Sequence, residues 1–380
     1  MNIGIDGLLL RPQNAGSLRY FELLLGGLAQ AEDEHEFTIF AAADVLNTAA
    51  LPRQPNIHYQ TAARRHFLPG VVQQQAFRRW QANGRLDLLH APLFAPPLGY
   101  SGKTVMTVLD LTFALYPQTQ KWTGRLWWKL LGPPGFRKAD RLIAISESTK
   151  QDLCRLYRLS PERVSVVQLY APDHFCPAVG SEQAASEKRL ITQRYTLPEQ
   201  YILYTGTLER RKNIATLLHA FDQARRRARL PQRLVLAGKP GWLYEDIYQT
   251  VAALDLQQEV VFPGYIAEAD LPALYRSADL FVYLSMYEGF GLPVLEAMAC
   301  GTPVLTSNVS SLPEVAGDAA LMVDPEDTEK ATWALLRLLT DIELRQDLRA
   351  RGLQQASRFN RQRFAAETLA VYRSLGAEIQ

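Results

Sequence analysis

Short apolar runs alternate with stretches of helical periodicity through both halves of this chain. Asn2–Gly7 interleaves apolar and polar residues as a strand does. A loop with Pro12 and Gly16 follows, and residues 18–31 then carry apolar side chains at helical spacing. Further strand-like runs lie at Glu36–Ala41, 86–90, 104–108 and 141–145. The second half repeats the pattern with sharper punctuation. Tyr201–Thr205 runs into Gly206 ahead of a helix near Ile214–Arg227, Arg233–Ala237 ends at Gly238, and 259–262 ends at Pro263-Gly264. Residues 280–284 lead into a Gly-rich loop and a helix, and 303–306 and 320–323 supply two more short strands. Strands alternating with helices predict an α/β protein of parallel sheets covered on both faces. The polar stretch 177–198 reads as a linker with a short helix, separating a domain at 1–176 from one at 199–357. Two doubly wound, Rossmann-like domains facing each other leave an interdomain cleft, and ligands of such sheets bind beyond the carboxyl ends of the strands.

Length agrees with this division, since 380 residues exceed what one ordinary core serves. A chain 47% hydrophobic and 21% charged is globular in composition. No apolar run approaches the roughly 18 residues that a membrane-spanning helix needs, and the first residues lack the basic start of a signal peptide. Cys154, Cys176 and Cys300 are scattered and odd in number, which fits a reducing compartment better than a disulfide framework or a zinc site. The expected location is the cytoplasm. Net charge is only +2, yet the stretch from Arg64 to Arg141 holds twelve Lys or Arg against three Asp or Glu. Trp122, Trp127 and Trp128 sit among its cations. Either a helix there turns its tryptophans to the core, or the stretch meets an anionic membrane surface or a phosphate-bearing acceptor. No nucleic acid partner is expected.

The chemistry concentrates in EGFGLPVLEAMACGTP, Glu288 to Pro303. Gly289 and Gly291 permit close backbone approach. Pro293 suits a helix's first turn and Gly301 its end. The amides of Leu292 and its neighbours then point out of a helix N-terminus, which favours a phosphate. Glu288 stands before that terminus and Glu296 one turn inside. A glycosidase pair is the competing reading, but its carboxylates face each other across one bond, about 5–9.5 Å apart. Eight helical residues span about 12 Å, a spacing better suited to the two ends of a nucleotide sugar. No strand is followed by G-x-G-x-x-G, so a Rossmann dehydrogenase lacks its fingerprint. Asp-x-Asp does not occur, the histidines show no i, i+4 pair, and no metal or other cofactor is expected.

This segment resembles the signature of retaining GT-B glycosyltransferases of family 4, in which two glutamates flank seven residues. FPGYIAEADLPALYRSADLFVYLS, TSNVSSLPEVAGDAALMVDPED and GTLERRKN extend the resemblance over essentially the whole second half. The first half echoes it more faintly in Arg19-Tyr20, LLHAPLFAPP and LIAISESTKQDL. Within the family the chain is most similar to bacterial mannosyl- and rhamnosyltransferases of surface-polysaccharide assembly. The resemblance implies that Glu288 contacts the donor sugar, that the backbone of Gly289, Phe290 and Gly291 holds the sugar and Leu292 the phosphate, and that Glu296 binds the ribose. It assigns Arg211 and Lys212 to the diphosphate, with Gly206 and Thr207 just before them, and Gly264, Tyr265 and Ile266 to the base. Arg211 and Lys212 could otherwise be ordinary exposed charges. Gly16 and Ser17 stand where the family's first loop carries paired glycines, and would offer backbone donors less freely. A helix over 358–380 returning to the first domain is also implied.

Two further departures touch the first domain. Gln168-Leu169-Tyr170 replaces the family's Pro-Leu-Gly turn. Leu109-Asp110-Leu111 replaces His-Asp-Leu, whose histidine reaches the sugar, often at the 6-hydroxyl. Leucine offers no hydrogen bond, so a 6-deoxy donor, a substitute role for Asp110 or a water, and a weakened catalyst all stay open. The expected activity is retaining, metal-independent transfer of a hexose, mannose or a 6-deoxyhexose such as rhamnose, from a nucleotide sugar that is GDP-linked. The acceptor would be a glycan or lipid-linked saccharide of polysaccharide or lipopolysaccharide synthesis, at the inner face of the cell membrane. Glu288, Lys212, Arg211 and Asp110 would carry the reaction. The alternative is a non-catalytic nucleotide-sugar-binding partner of a glycan-assembly complex.

Overall fold

The computed structural model describes residues 1–11, 15–31, 34–48, 51–61, 77, 86–93, 96–97, 99–119, 132–241 and 244–376. The tryptophans at 122, 127 and 128 fall outside these residues, so both readings of that basic stretch stand as they were. The chain divides into two compact units, 1–115 with 121–170 and 360–380, and 116–120 with 171–359.

The first unit holds a seven-stranded sheet of order β3-β2-β1-β4-β5-β6-β7. Its strands are β1 (Asn2–Gly7), β2 (Glu36–Ala41), β3 (Ile57–Thr61), β4 (Leu88–Ala91), β5 (Lys103–Val108), β6 (Arg141–Ala144) and β7 (Val164–Val166). Every pairing is parallel. Central strands such as β4 are buried along their whole length, as parallel strands covered on both faces must be. The helix Arg361–Gly376 belongs to this unit, and Phe364, Leu369 and Tyr372 are buried in it. A Cβ on Gly27 would stand 3.0 Å from the Phe364 ring, so glycine lets this helix approach the helix Ala15–Ala29. The Tyr170 hydroxyl donates to Leu23 O at 3.0 Å, and its ring packs on Phe364 at 5.4 Å. The residue that departs from the family turn therefore braces the same helix.

His90 on β4 is fully buried. Its Nδ1 lies 2.7 Å from the Tyr372 hydroxyl and its Nε2 2.8 Å from Thr107 Oγ1, which is 2.9 Å from the Tyr20 hydroxyl. Burial lowers the His90 pKa to about 3 from an ordinary 6.5. The unfolded chain therefore binds a proton in that interval that the folded chain refuses, and the stability present above pH 6.5 is lost as pH falls toward 3. The melting temperature should decline between pH 6.5 and 5, above the carboxylate range, and His90→Gln should flatten that decline. An unchanged slope in the variant would remove His90 as its source.

The second unit holds a six-stranded, all-parallel sheet of order β10-β9-β8-β11-β12-β13. Its strands are β8 (Tyr201–Thr205), β9 (Arg233–Ala237), β10 (Val260–Gly264), β11 (Leu280–Tyr283), β12 (Val304–Ser307) and β13 (Leu321–Val323). The stretch 177–198, read as a linker, belongs to this unit. Its helix Ser181–Tyr195 is fastened to both ends of the helix Leu271–Ser277. Arg194 and Tyr195 both donate to Asp270 at 2.7 Å, and Arg276 donates to Glu187 at 2.8 Å. Polar composition here reflects one solvated face of a packed helix rather than a free connector.

Candidate active site

Strand order in the second sheet reverses between β8 and β11. At such a point the connections part to opposite faces and leave a crevice beyond the strand ends. The loop after β8 folds into a 3-10 turn, Arg210–Lys212. Asn213 ends that turn at φ 56°, donating from Nδ2 to Pro325 O at 2.7 Å and accepting from Thr216 Oγ1 at 2.8 Å. The loop after β11 is tied to it, because Met286 N donates to Arg211 O at 3.0 Å and the Arg211 guanidinium donates to Tyr287 O.

The two loops bring three expected site residues together. Lys212 Nζ lies 2.6 Å and Arg211 Nη1 3.3 Å from Glu288 Oε1. Arg211 Nη2 also meets Glu209 Oε1 at 2.7 Å. Lys212 is 9% exposed and Glu288 8%, which ends the reading of Lys212 as a solvated surface charge. Burial lowers the Lys212 pKa and the Arg211 guanidinium adds to that, against the Glu288 carboxylate. For Glu288, burial pushes upward, but the Lys212 ammonium and the Arg211 guanidinium outweigh it and bring the pKa to about 2. A glycosidase acid needs the opposite shift. Glu288 stays an anion, fit to accept from hydroxyls and not to deliver a proton.

The second feature is the start of the helix Leu292–Ala299. Gly291 takes φ 106°, and a Cβ there would stand 2.7 Å from Leu312 Cδ2. Glycine also brings no capping side chain; Pro293 has no N–H and Val294 N donates to Gly291 O at 2.9 Å, so the Leu292 amide is the first-turn donor left at the positive end of the helix dipole. Two serines bolt the preceding loop in place. Ser310 Oγ accepts from Glu288 N at 3.0 Å and donates to Glu288 O. Ser311 Oγ lies 2.7 Å from Phe290 O and 3.0 Å from Glu288 O, which share its one proton. Phe290 is buried with its ring against Phe359, and Gly289 is buried, so both offer backbone only. Glu296 is 6% exposed and takes a 3.0 Å hydrogen bond from the Tyr275 hydroxyl, which lies 2.6 Å from Thr205 Oγ1. Burial, and then the Glu296 charge, push the Tyr275 pKa well above its ordinary value, so the phenol keeps the proton it donates.

Beside the switch point, three glycine loops stand in a row at the ends of β8, β9 and β10. Gly206 N donates to Ala237 O at 3.0 Å, and Gly238 N to Gly264 O at 2.8 Å. Thr207 is exposed, Tyr265 is 61% exposed and Ile266 is buried. Lys239 places its ammonium 4.3 Å from the centre of the Tyr265 ring.

Gly16, Ser17, Leu109 and Asp110 belong to the first unit. Gly16 and Ser17, read as loop residues, lie in the first turn of the helix Ala15–Ala29. Their amides are first-turn donors, as loop amides would have been. Leu109 is half-buried, and Asp110 Oδ1 accepts from Thr112 N at 2.9 Å at the start of the short helix Thr112–Leu115. Among the described residues no group of three or more His, Cys, Asp or Glu side chains is placed to hold a metal ion. Ser310, Ser311, Tyr283, Tyr275 and Lys239 escaped the sequence reading. The serines and the tyrosines lie in stretches matched to the family as a whole, in which none of them was singled out.

Residues 16–169 match the family described as Glycosyltransferase Family 4, and residues 188–355 that described as Glycosyl transferases group 1. O-antigen chain mannosyltransferase B of Escherichia coli is 31% identical over 371 residues, covering 94% of this chain and 95% of that protein. Serotype-specific mannosyltransferase WbdA of Escherichia coli is 33% identical over 246 residues, 61% of this chain and 30% of that protein. Sucrose-phosphate synthase of Thermosynechococcus elongatus has the same fold, with a TM-score of 0.76 at 22% identity over 99% of both chains. The chain belongs to the family 4, or group 1, glycosyltransferases, and its two parallel-sheet domains are those of the GT-B fold.

Proposed function

We propose that this glycosyltransferase moves a hexose, mannose first among candidates, from a GDP-sugar to a glycan or lipid-linked saccharide of surface polysaccharide synthesis, with retention of configuration and without a metal. One observation carries the reading: buried Lys212 and Glu288 and half-buried Arg211 meet beside the uncapped start of the helix Leu292–Ala299. The names of the relatives support mannose and an O-antigen product. The Lys239–Tyr265 pair supports guanine, because an aromatic ring offers a base a stacking face and an ammonium suits the adjacent O6 and N7 acceptors of that purine.

The diphosphate lies across the helix start, taking the Leu292 amide and the two cations. Negative charge grows on it as the glycosidic bond breaks, and fixed donors aimed there stabilise the transition state more than the ground state. The acceptor oxygen attacks from the side of the leaving group and passes its proton to the departing phosphate oxygen. Glu288 accepts from the sugar hydroxyls and Glu296 from the ribose. Asp110 is an acceptor-side contact, and Gly16 and Ser17 supply further amides. The work takes place in the cytoplasm at the inner face of the membrane, where the basic stretch between Arg64 and Arg141 meets anionic lipid. No helix among the described residues is long and apolar enough to cross a membrane.

Leu109 favours a second reading, a 6-deoxyhexose whose methyl group packs where a hydroxyl would lose its partner. A melting-temperature screen of GDP-, UDP-, ADP- and dTDP-sugars tests both, since a ligand held only by the folded state raises stability by mass action. GDP-mannose should give the largest rise and be consumed. A larger rise and faster consumption with GDP-rhamnose would favour the 6-deoxy reading. Binding with no transfer or hydrolysis would leave the non-catalytic partner, and no rise with any nucleotide sugar would end the proposal.

A further inference from the structure

Tyr283 ends β11 directly beneath the site, 1% exposed. Its hydroxyl lies 2.8 Å from Lys212 Nζ and 3.0 Å from Glu288 Oε1, while those two atoms are 2.6 Å apart. The three polar atoms therefore form a closed triangle. The hydrogen-bond roles are fixed by chemistry. The ammonium can only donate and the ionised carboxylate can only accept, so the phenol accepts from Lys212 and gives its one proton to Glu288. The ring is clamped for this task, stacked on Tyr204 at 5.8 Å and 16° and on Phe281 at 5.9 Å and 18°. Tyr283 O also takes a 2.9 Å hydrogen bond from Thr306 Oγ1.

The donors to Glu288 are distributed unevenly. Lys212, Arg211 and Tyr283 all converge on Oε1. A ligand phosphate would draw Lys212 away, and Glu288 would then lose its nearest cation. The Tyr283 hydroxyl is the donor that stays, because its ring cannot move.

We propose that Tyr283 is a positioning residue: its hydroxyl holds Lys212 and Glu288 in register at rest and keeps the Glu288 carboxylate oriented once Lys212 has turned to the diphosphate. This rests on the nucleotide-sugar reading of the site. Tyr283 touches no substrate itself and acts through the two residues that do.

Tyr283→Phe removes the hydroxyl and keeps the ring stack. With a nucleotide sugar that the wild type consumes, its kcat should fall at least about tenfold while the nucleoside diphosphate Kd changes less than about threefold. The alkaline limb of the kcat/KM profile, which reports the free enzyme, should move to lower pH, since Lys212 loses an acceptor that favours its charged form. The double variant Tyr283→Phe/Glu288→Gln should lie within about threefold of Glu288→Gln alone, because residues acting as a unit are not additive. Site-specific 3-fluorotyrosine at 283 keeps size and stack while sharpening the O–H donor, so it should also move the profile even if the phenylalanine variant is poorly folded. A wild type that consumes no donor would overturn the functional reading. A wild type that does, beside a Tyr283→Phe enzyme with unchanged kcat and profile or fully additive losses in the double variant, would overturn the role of Tyr283 alone.

Discussion

Lys212→Met is expected to lower turnover by about a hundredfold, the scale of removing one fixed donor from a developing anion, and to destabilise the folded protein. The second effect follows from burial. Lys212 and Glu288 are 9% and 8% exposed, and Lys212 is the nearest cation to Glu288 Oε1. Taking one partner from a buried pair leaves an uncompensated charge, at a cost of about 3–5 kcal/mol. Arg211 at 3.3 Å and the Tyr283 hydroxyl at 3.0 Å stay behind, which puts the loss near the lower end. Adding Glu288→Gln to the methionine variant should recover much of the melting temperature while activity stays low, because the orphaned charge has gone and the diphosphate is still unmet. Thermal melts and donor turnover on the single and double variants check this. A Lys212→Met enzyme with near-normal turnover would remove the assigned site.

Gly238→Ala should be the most damaging single-methyl change around the crevice. The added Cβ would stand 1.8 Å from Gly206 O, a backbone atom that cannot rotate away. Either the β8 loop or the β9 loop must move, and the hydrogen bond from Gly238 N to Gly264 O couples the β10 loop to the shift. Overpacking of this kind costs about 3 kcal/mol or more when backbone has to yield. Gly206-Thr207 and Gly264-Tyr265 are the residues displaced, so nucleotide affinity should fall along with stability. The check is a melt together with a nucleoside diphosphate titration. Gly16→Ala makes the contrast, since a Cβ there meets nothing within 4 Å and stability should barely change.

Strongly patterned elements were legible before any coordinates. β1, β2, β8 and β9 have the bounds that alternating or continuous apolar runs suggest, and the glycines just after β8 and β9 and at the end of β10 mark the strand ends. β3 and β7 were missed for a physical reason. IHYQT buries only its first residue at a sheet edge, and VSV is too short for a period to show. The helix Leu292–Ala299 and its flanking glutamates were legible because glycine and proline chemistry brackets them. The partners of those glutamates were not. Hydrogen bonds from Ser310, Ser311, Tyr275 and Tyr283 join positions between 5 and 23 apart in sequence through folding alone. A tyrosine inside an apolar strand looks like any core residue until its hydroxyl is located.

The placement of the helix Arg361–Gly376 in the first unit bears on the order in which the protein can be made. Tyr372 closes the buried contact with His90, and Phe364 packs against Tyr170 and Tyr20. Strands β1 to β7 leave the ribosome well before this helix does, and domains ordinarily fold as they emerge. Here the first sheet waits with an open apolar seam while the whole second sheet is translated. Its seal is synthesised only after that second sheet, so a nascent chain stalled before residue 361 should be a better client for chaperones than one stalled after residue 376.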